Sequence, residues 1–389
     1  MTSTTFTYDR GYQRQEAPGQ RAAWDLGPDL PLVDGRAHTA GLPGAFADSA
    51  PDRWGRTLIS KRLRARARAE GRTPPTVTDV DYLLGVSDLT RQGALRFCPP
   101  EAEGELLAAD LQVPKLVELP QLLRAADEAA SGADGGESSD AVKLLLDAGS
   151  ASLGGARPKA SVRDGDRLLI AKFPHPADEW DVMAWEKTVL DLAEKAGIGV
   201  PGRRLERVGG RHVLLLERFD RTTTGRRIGY LSAMSLVGAK DGEARDYLEL
   251  AEAVADHGGA VRADLRQLWR RIAFSLAVNN VDDHLRNHGF LRAPAGWCLS
   301  PLFDVNPDPE ADSRVTTIGW AGSREEAARA LVDTAATFGM TPEAAGQALA
   351  DVGRSVAGWR AAASSNGVVE AEVRRFAGAF RLPAALESL

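Results

Sequence analysis

The sequence predicts an α+β protein in which a small sheet lobe with one helix precedes a larger helical lobe. Strand patterns flank Asp164-Gly165 and Gly209-Gly210, as expected for two hairpins of one sheet. Beyond Arg221 the apolar residues recur mostly at helical spacing. A length of 389 residues is that of two or three packed units.

The first hundred or so residues combine short extended pieces with turns rich in Pro and Gly. One helix is predicted there, from about Trp54 to Ala69. The Ala, Ser, Gly and Asp content of residues 125–140 favours an irregular, solvated connector. The predicted division is a β-rich N-terminal subdomain with one helix at 1–105, a connector and sheet lobe at 106–220, and a helical lobe at 221–389.

The sheet lobe is predicted to hold one helix, over the segment DVMAWEKTVLDLAEKAGI. In the last unit the periodicity predicts helices at Tyr247–Ala255, Leu265–Val278, Ser323–Thr337, Pro342–Arg360 and Val368–Ala377.

The composition is that of an ordinary soluble protein, with a formal net charge of -6. This acidic balance argues against direct, strong binding of nucleic acid or anionic lipid by the chain. The run KRLRARAR, Lys61–Arg68, is a local exception. It is interpreted as a solvated helix face, with contact to a phosphate backbone as the alternative.

Cysteine content and the amino terminus indicate the compartment. The two cysteines, Cys98 and Cys298, lack a metal-ligand spacing, which disfavours a disulfide framework and a zinc site. MTSTTFTYDRGYQ lacks the basic and apolar parts of a signal peptide. No apolar stretch approaches the roughly 20 residues that span a bilayer. We therefore expect a cytoplasmic protein with no membrane association.

The densest polar segment is VNNVDDHLRNHGFL, residues 278–291, which directly follows a predicted buried run. Asp282 and Asn287 are five positions apart, the spacing of the catalytic Asp and the metal-binding Asn in the kinase loop H-R-D-L-x-x-x-N. Phosphoryl transfer uses such a carboxylate to accept the hydroxyl proton of the acceptor. The alternative is a polar helix end with solvated carboxylates.

A second magnesium ligand, besides Asn287, is predicted downstream, in LSPLFDVNP. Asp304 follows a predicted strand, where a kinase carries the Asp that links magnesium to the phosphates. Because Mg²⁺ prefers carboxylate and carbonyl oxygens, Asp304 and Asn287 form a sufficient protein ligand set. The two motifs together predict ATP and Mg²⁺ as cofactors.

The predicted sheet lobe carries residue types suited to a nucleotide. Gly154 and Gly155 lie between strand patterns in SLGGARPKA, where backbone N–H groups could approach a phosphate. This segment is not a Walker A loop, and a simple hairpin turn is the alternative. Lys172, within LLIAKFP, is costly to bury unless nucleotide phosphates or Glu186 pair with it. For Glu186, an ordinary exposed position on a helix is the alternative.

The last strand of the sheet lobe ends in LLLERFDR. This is where a kinase hinge binds adenine, and Glu217 and Phe219 are the candidates there. Phe219 would offer a face for stacking.

These segments resemble the HipA-type serine/threonine kinases, the toxins of bacterial toxin–antitoxin pairs. The matching pieces, in the order of the family, are DSAPDRWGR, SLGGARPKA, LIAKFP, LLERFDR, VDDHLRNHGFL and LSPLFDVNP. The fold implied is a β-rich N-terminal subdomain followed by a bilobal protein-kinase-like domain. The chain begins close to TFTYDRGY, which leaves little room for the extra leading strands of longer members. A complete N-terminal subdomain, and an antitoxin contact there, are therefore open.

The resemblance implies that Asp282 is the catalytic base, with His284 nearby in the same loop. It makes Asn287 and Asp304 the magnesium ligands. It implies an ion pair of Glu186 with Lys172, and nucleotide contacts from Lys172, Glu217, Phe219, Gly154, Gly155 and Lys159.

Ser152 matches the serine that these kinases autophosphorylate to inactivate themselves. A phosphate with nearly two negative charges would be expelled from a loop that holds ATP phosphates. A turn residue that bonds its own backbone is the alternative for Ser152.

The function implied is an ATP- and Mg²⁺-dependent protein kinase with a cellular protein as acceptor, in the family an aminoacyl-tRNA synthetase among others. A cognate antitoxin with a DNA-binding domain is the implied partner. Two alternatives remain: a small-molecule kinase of the aminoglycoside- or choline-phosphorylating sort, and a chain that acts chiefly as a binding partner in a repressor complex. A metal hydrolase is disfavoured because the histidines form no ligand array.

Overall fold

A computed structural model of the chain describes residues 3–14, 23–102, 104–108, 113–131, 136–150 and 157–387. The elements of the N-terminal region are β1 (Ser3–Phe6), α1 (Arg10–Gln13), β2 (Ala37–Ala40), α2 (Gly44–Ser49), α3 (Arg53–Ala69) and α4 (Asp79–Leu84). β1 and β2 form an antiparallel pair.

Helix exceeds strand among the described residues before 105, where the sequence predicted a β-rich subdomain with one helix. Short polar caps explain the additional helices. The Asp9 side chain accepts from the amides of Gly11 and Tyr12 at the start of α1. Thr78 and Asp81 form a reciprocal capping box at α4. Helices of four to six residues carry too few apolar positions for a periodicity to reveal them.

The middle of the chain forms two helices and a four-stranded sheet. Its elements are a 3₁₀ turn (Leu116–Glu118), α5 (Leu119–Ala130), α6 (Gly136–Asp147), β3 (Lys159–Asp164), β4 (Arg167–Lys172), α7 (Val182–Lys195), β5 (Arg203–Val208) and β6 (Arg211–Glu217). The sheet order is β3-β4-β6-β5, and all three pairings are antiparallel. Both predicted hairpins are present.

The predicted irregular connector at 125–140 is wrong: α5 and α6 occupy most of it. Alanine has the highest helix propensity, and Ala125, Ala126 and Ala129 lie buried on one face of α5. Small side chains that look like linker composition therefore serve as close-packing positions. Between the helices, residues 132–135 lie outside the described part.

Alternate residues of β6 face opposite layers of the sheet lobe. Val213 and Leu215 join a core cluster with α3, α5 and α6. Leu214 and Leu216 pack instead with residues of α7. Because side chains alternate along a strand, the apolar run of β6 covers both faces. The sheet is thereby sandwiched between α7 and the helices that precede it in sequence.

The last part of the chain is mainly helical. Its elements are β7 (Tyr230–Ser232), α8 (Ala233–Leu236), β8 (Arg245–Asp246), α9 (Tyr247–His257), α10 (Val261–Ala277), a 3₁₀ turn (Leu285–Asn287), β9 (Gly289–Ala293), β10 (Gly296–Leu299), β11 (Thr316–Thr317), α11 (Arg324–Asp333), a 3₁₀ turn (Ala335–Phe338), α12 (Pro342–Ala357), α13 (Trp359–Ser365), α14 (Glu370–Arg375), a 3₁₀ turn (Phe376–Gly378) and α15 (Ala384–Glu387). α10 lies at the centre, with Leu268, Trp269 and Phe274 fully buried. Within the described residues, none of the helices has both the length and the apolar character needed to cross a membrane.

Candidate functional site

Lys172 joins three elements at one point. Its Nζ atom donates to Glu186 Oε1 at 2.6 Å and to Asp304 Oδ1 at 2.8 Å. Lys172 ends β4, Glu186 lies within α7, and Asp304 follows β10. Burial by itself would lower the pKa of Lys172, but the two carboxylates outweigh it and the pKa is raised. The ammonium is therefore held charged inside the protein.

Glu186 is 1% exposed, which rules out an ordinary surface position on the helix. Burial raises its pKa, while Lys172 acts in the opposite direction. A buried carboxylate of this kind is stable only with its partner in place.

Asp304 has an unusual backbone, with φ at +56°. Residues other than glycine rarely adopt this left-handed conformation, and such strain concentrates at functional positions. Although burial opposes ionisation, Lys172 and then Lys159 lower the pKa of Asp304 to about 2. The site thus holds an ionised carboxylate on a strained residue.

The polar loop after α10 approaches Asp304 through one amide. Asn287 Nδ2 donates to the backbone carbonyls of Asp282, at 3.1 Å, and Asp304, at 3.5 Å. These contacts use the nitrogen and leave the amide oxygen as the atom able to bind a cation. The same side chain thus connects the two predicted motifs.

Asp282 is exposed, while its neighbour Asp283 is buried. Burial of part of the Asp282 carboxyl raises its pKa, with His284 lowering it and Asp304 raising it further. Nδ1 of His284 is buried and, within the described part of the chain, has no hydrogen-bond partner. His284 is therefore close enough to act on Asp282 electrostatically.

Asp283 is the internal anchor of this loop. Tyr247 Oη donates to its Oδ2 at 2.6 Å, and Ser275 Oγ donates to the same atom at 3.0 Å. His288 Nε2 lies 3.0 Å from Oδ1. Burial opposes ionisation of Asp283, yet His288 and the hydroxyl donors lower its pKa to about 2. Much of the polar density in VNNVDDHLRNHGFL therefore stabilises the loop itself.

The two predicted hinge residues are placed differently. The Glu217 side chain is 47% exposed and pairs with Arg167 at 2.6 Å. Its backbone N–H donates to Gly202 O, so an adenine would have to use another backbone group nearby. Phe219 is half-buried, with its ring centroid 5.4 Å from that of Phe303.

Lys159 is buried and pairs with Asp52 of the N-terminal region, at 3.1 Å. Asp52 precedes α3, and burial raises its pKa against the opposing effect of Lys159. Ser152, Gly154 and Gly155, which precede Lys159 in the predicted loop, lie outside the described residues.

The basic run of α3 is only partly exposed. Arg64, Arg66 and Arg68 face solvent, whereas Lys61 Nζ donates to Ala129 O at the end of α5. Lys61 therefore helps to fix the packing of α3 against α5.

The side chains around Asp304 offer oxygen atoms that suit a magnesium ion. Among the described residues, no group of three or more His, Cys, Asp or Glu side chains is arranged to hold a metal. One carboxylate (Asp304) and one amide oxygen (Asn287) are the kind of partial set that Mg²⁺ completes with water and substrate phosphates. The chemistry of the residues present therefore fits the ion.

Residues missed from the sequence owe their positions to distant contacts. Asp52 and Lys159 are 107 positions apart, and Tyr247 and Asp283 are 36 apart. Asp52 lies in the matching segment DSAPDRWGR, and its place directly before a helical pattern predicts an N-cap, but neither signal indicates a contact with Lys159. For Tyr247 no local signal exists.

The family described as HipA-like C-terminal domain matches residues 151–359, more than half of the chain. The chain belongs to the HipA-like family. The matched range includes Lys172, Glu186 and Asp304, so the site lies within the part shared with HipA-like proteins. Residues before 151, including Asp52, lie outside it.

Among solved structures, the HipA-like chain is similar to HipA of the toxin–antitoxin system of Shewanella oneidensis MR-1, solved with HipB and its operator DNA. The identity is 17%, the alignment covers 99% of this chain and 92% of that chain, and the TM-score is 0.63. The predicted α+β, bilobal protein-kinase-like fold class is thereby confirmed.

Two further matches are more distant. The Helicobacter pylori proinflammatory kinase CtkA is 16% identical over 61% of this chain and 88% of that chain, with a TM-score of 0.42. The choline kinase LicA from Streptococcus pneumoniae is 12% identical over 61% of this chain and 92% of that chain, with a TM-score of 0.22. The comparison with curated proteins gives no match.

Proposed function

We propose that this HipA-like chain is an ATP- and Mg²⁺-dependent serine/threonine protein kinase. The observation that carries the proposal is the junction at Lys172, where Glu186 and Asp304 converge from separate elements within 2.6 and 2.8 Å. A buried lysine with a strained carboxylate and an adjacent amide is suited to phosphates and a divalent cation.

Each residue would have a defined part in the reaction. Lys172 and Lys159 would hold the ATP phosphates, with Glu186 orienting Lys172. Asn287 and Asp304 would hold Mg²⁺, which supplies neutralisation of the phosphate charge when bound. Glu217 and Phe219 would frame the adenine, and Gly154 and Gly155 would contribute backbone donors.

The proposed transfer uses Asp282 as the base. The hydroxyl oxygen of the acceptor forms a bond to the γ-phosphorus of ATP, the bond from that phosphorus to the β–γ bridging oxygen breaks, and ADP leaves. Asp282 accepts the hydroxyl proton, and His284 holds the pKa of Asp282 down so that the carboxylate stays ionised. Partial desolvation makes this carboxylate a stronger base than one in water.

The biological context proposed is that of a toxin. The Shewanella HipA structure also contains HipB and operator DNA. We extend this to a cognate antitoxin with a DNA-binding domain for the present chain, and to cytoplasmic acceptor proteins such as an aminoacyl-tRNA synthetase. Autophosphorylation of Ser152 would switch the kinase off. The division at 105 and 220 is retained as the proposed domain organisation.

The test is phosphate transfer from ATP and Mg²⁺ to proteins of a cell lysate, read by phosphopeptide mass spectrometry. Asp282→Asn should keep ATP binding and lose transfer by about 10²- to 10⁴-fold, since it removes the general base. Asp256→Asn, an exposed site on α9, is the matched control and should transfer normally.

Full transfer by Asp282→Asn would contradict the assigned base. Transfer only to an aminoglycoside or choline, offered in parallel, would replace the protein-kinase proposal. Ser152 should carry phosphate after incubation of wild-type protein with ATP, and none in Asp282→Asn.

A further inference from the structure

Two lysines lie opposite each other on neighbouring strands of the four-stranded sheet. Lys159 begins β3 and Lys172 ends β4, and the two are paired across the strands. Like charges directly opposite each other on neighbouring strands repel. Carboxylates are therefore needed to offset the repulsion between the two ammonium groups, and these carboxylates come from different parts of the chain.

The two ammonium groups form ion pairs with different carboxylates. Lys172 binds Glu186 and Asp304, whereas Lys159 Nζ donates to Asp52 Oδ2 at 3.1 Å. The side chains of Lys159 and Asp52 are 2% and 8% exposed, so water does not screen this pair strongly.

The two carboxylate oxygens of Asp52 make different contacts. Oδ1 accepts the backbone N–H of Gly55 at 2.7 Å and so caps the first turn of α3. Oδ2 receives Lys159. Because the cap fixes the carboxylate to a 17-residue helix, the position of Oδ2 is set by the N-terminal region.

Lys159 has other carboxylates within electrostatic reach. It lowers the pKa of both Glu186 and Asp304. Weakening the attraction of Asp52 would favour displacement of the ammonium toward Asp304, where it would compete with Lys172 and with a cation. The contact with Asp52 opposes this displacement.

We propose that Asp52 is a positioning residue of the nucleotide site: by binding Lys159 from the N-terminal region, it holds that ammonium where ATP phosphates can meet it. The inference rests on the proposed function. It also means that the site extends beyond the matched range 151–359, because one of its supports comes from α3. The N-terminal region is then part of the phosphate-binding apparatus.

The substitution Asp52→Asn should keep the cap of α3 and remove the attraction for Lys159. Asparagine caps helices as well as aspartate does, so the contact to Gly55 can persist. At the other position an uncharged amide replaces the carboxylate, and its nitrogen would face an ammonium as a second donor. The full-length protein should therefore fold while Lys159 loses this carboxylate partner.

Asp181→Asn is the matched control. Asp181 caps α7 through Ala184 N at 3.0 Å, and its other oxygen binds His212. Asp181 therefore caps a helix and binds a basic side chain, as Asp52 does, but its partner His212 belongs to no predicted site. Both variants and the wild type would be compared by thermal unfolding and by calorimetric binding of Mg²⁺-ATP and of adenosine.

We expect Asp52→Asn to weaken Mg²⁺-ATP binding by about tenfold or more, in keeping with loss of a hydrogen bond between charged groups. Adenosine, which has no phosphates, should bind all three proteins equally. In transfer assays the KM for ATP should rise while the KM for the acceptor stays unchanged.

Three results would overturn the inference: unchanged ATP affinity in Asp52→Asn, an equal loss in Asp181→Asn, or a parallel loss of adenosine binding, which would indicate general structural damage. If the wild-type protein bound no ATP at all, the proposed function itself would fail, and the inference with it.

Discussion

At the residue scale, two adjacent carboxyl groups have opposite environments. Asp282 is exposed at the site and its pKa is raised, whereas Asp283 is enclosed by hydroxyl and imidazole groups and its pKa is lowered to about 2. The two adjacent side chains lie in different surroundings, so one can face substrate while the next anchors the loop. Environment, rather than residue type, separates a base from a structural anion.

The raised pKa of Asp282 predicts how phosphate transfer falls at the acidic side of its pH profile. The base must be ionised, so transfer should fall as the pH drops through a midpoint above 3.8, the ordinary value. Since His284 lowers this pKa, His284→Gln should move the midpoint to higher pH. The measurement is kcat/KM against pH, and an unchanged midpoint in His284→Gln would contradict the electrostatic role of that imidazole.

The anchor residue predicts a large loss of stability. Asp283→Asn should lower the free energy of unfolding by about 3 kcal/mol, because buried partners lose their anion. Ser275→Ala removes one donor to the same carboxylate and should cost about 1 kcal/mol. Urea unfolding at neutral pH measures both, and equal losses would contradict a central role for Asp283.

The same group contributes to the pH dependence of stability. The pKa of Asp283 falls on folding from 3.8 to about 2. Its ionised form therefore contributes fully to the free energy of unfolding above pH 3.8, and this contribution is lost as the pH falls toward 2. A shift of this size corresponds to about 2 kcal/mol. Wild-type protein should therefore lose more stability than Asp283→Asn across that pH window.

At the element scale, α5 and α6 show how composition can mislead. The sequence of residues 125–140 resembles a linker, yet α5 and α6 pack against α3 and one face of the sheet. Alanine, serine and glycine allow helices to approach closely, and the same residues are common in flexible segments. Only the neighbouring elements decide which applies.

The buried face of α6 can be tested with one pair of substitutions. Leu145 is fully buried, so Leu145→Ala should lower the free energy of unfolding by about 2–5 kcal/mol. Lys143→Ala, exposed on the same helix, should change it by less than about 0.5 kcal/mol. If denaturant titrations gave similar small values for both, α6 would not be an integral part of the fold.

At the scale of the whole molecule, the N-terminal region is fastened to the rest by buried arginines. Arg218 and Arg221, which follow β6, donate to backbone carbonyls of residues 90–91. Asp220 pairs with both arginines, at 2.6 and 2.8 Å, and accepts from Gly93 N. Together with the core shared by α3, α5, α6 and the sheet, this network joins the N-terminal region to the lobe that carries Lys172.

This junction predicts a single cooperative transition for the N-terminal region and the sheet lobe. Asp220→Ala would leave two buried arginines without their carboxylate and should cost about 3–5 kcal/mol. Asp166→Ala, in the exposed β3–β4 turn, should be nearly neutral. Calorimetry is the measurement, and a separate early transition of the N-terminal region would contradict the coupling.

The sequence by itself determined the sheet-plus-helix outline, both hairpins and the spaced polar motifs around Asp282, Asn287 and Asp304. These features repeat locally or lie within a few residues, and local patterns report such distances directly. Only the tertiary structure decided that Lys172 meets Asp304, that Asp283 is an anchor, and that Asp52 reaches Lys159. The contacts of Lys172 with Asp304 and of Lys159 with Asp52 join residues 132 and 107 positions apart, and no local periodicity encodes which of many carboxylates will meet a buried lysine.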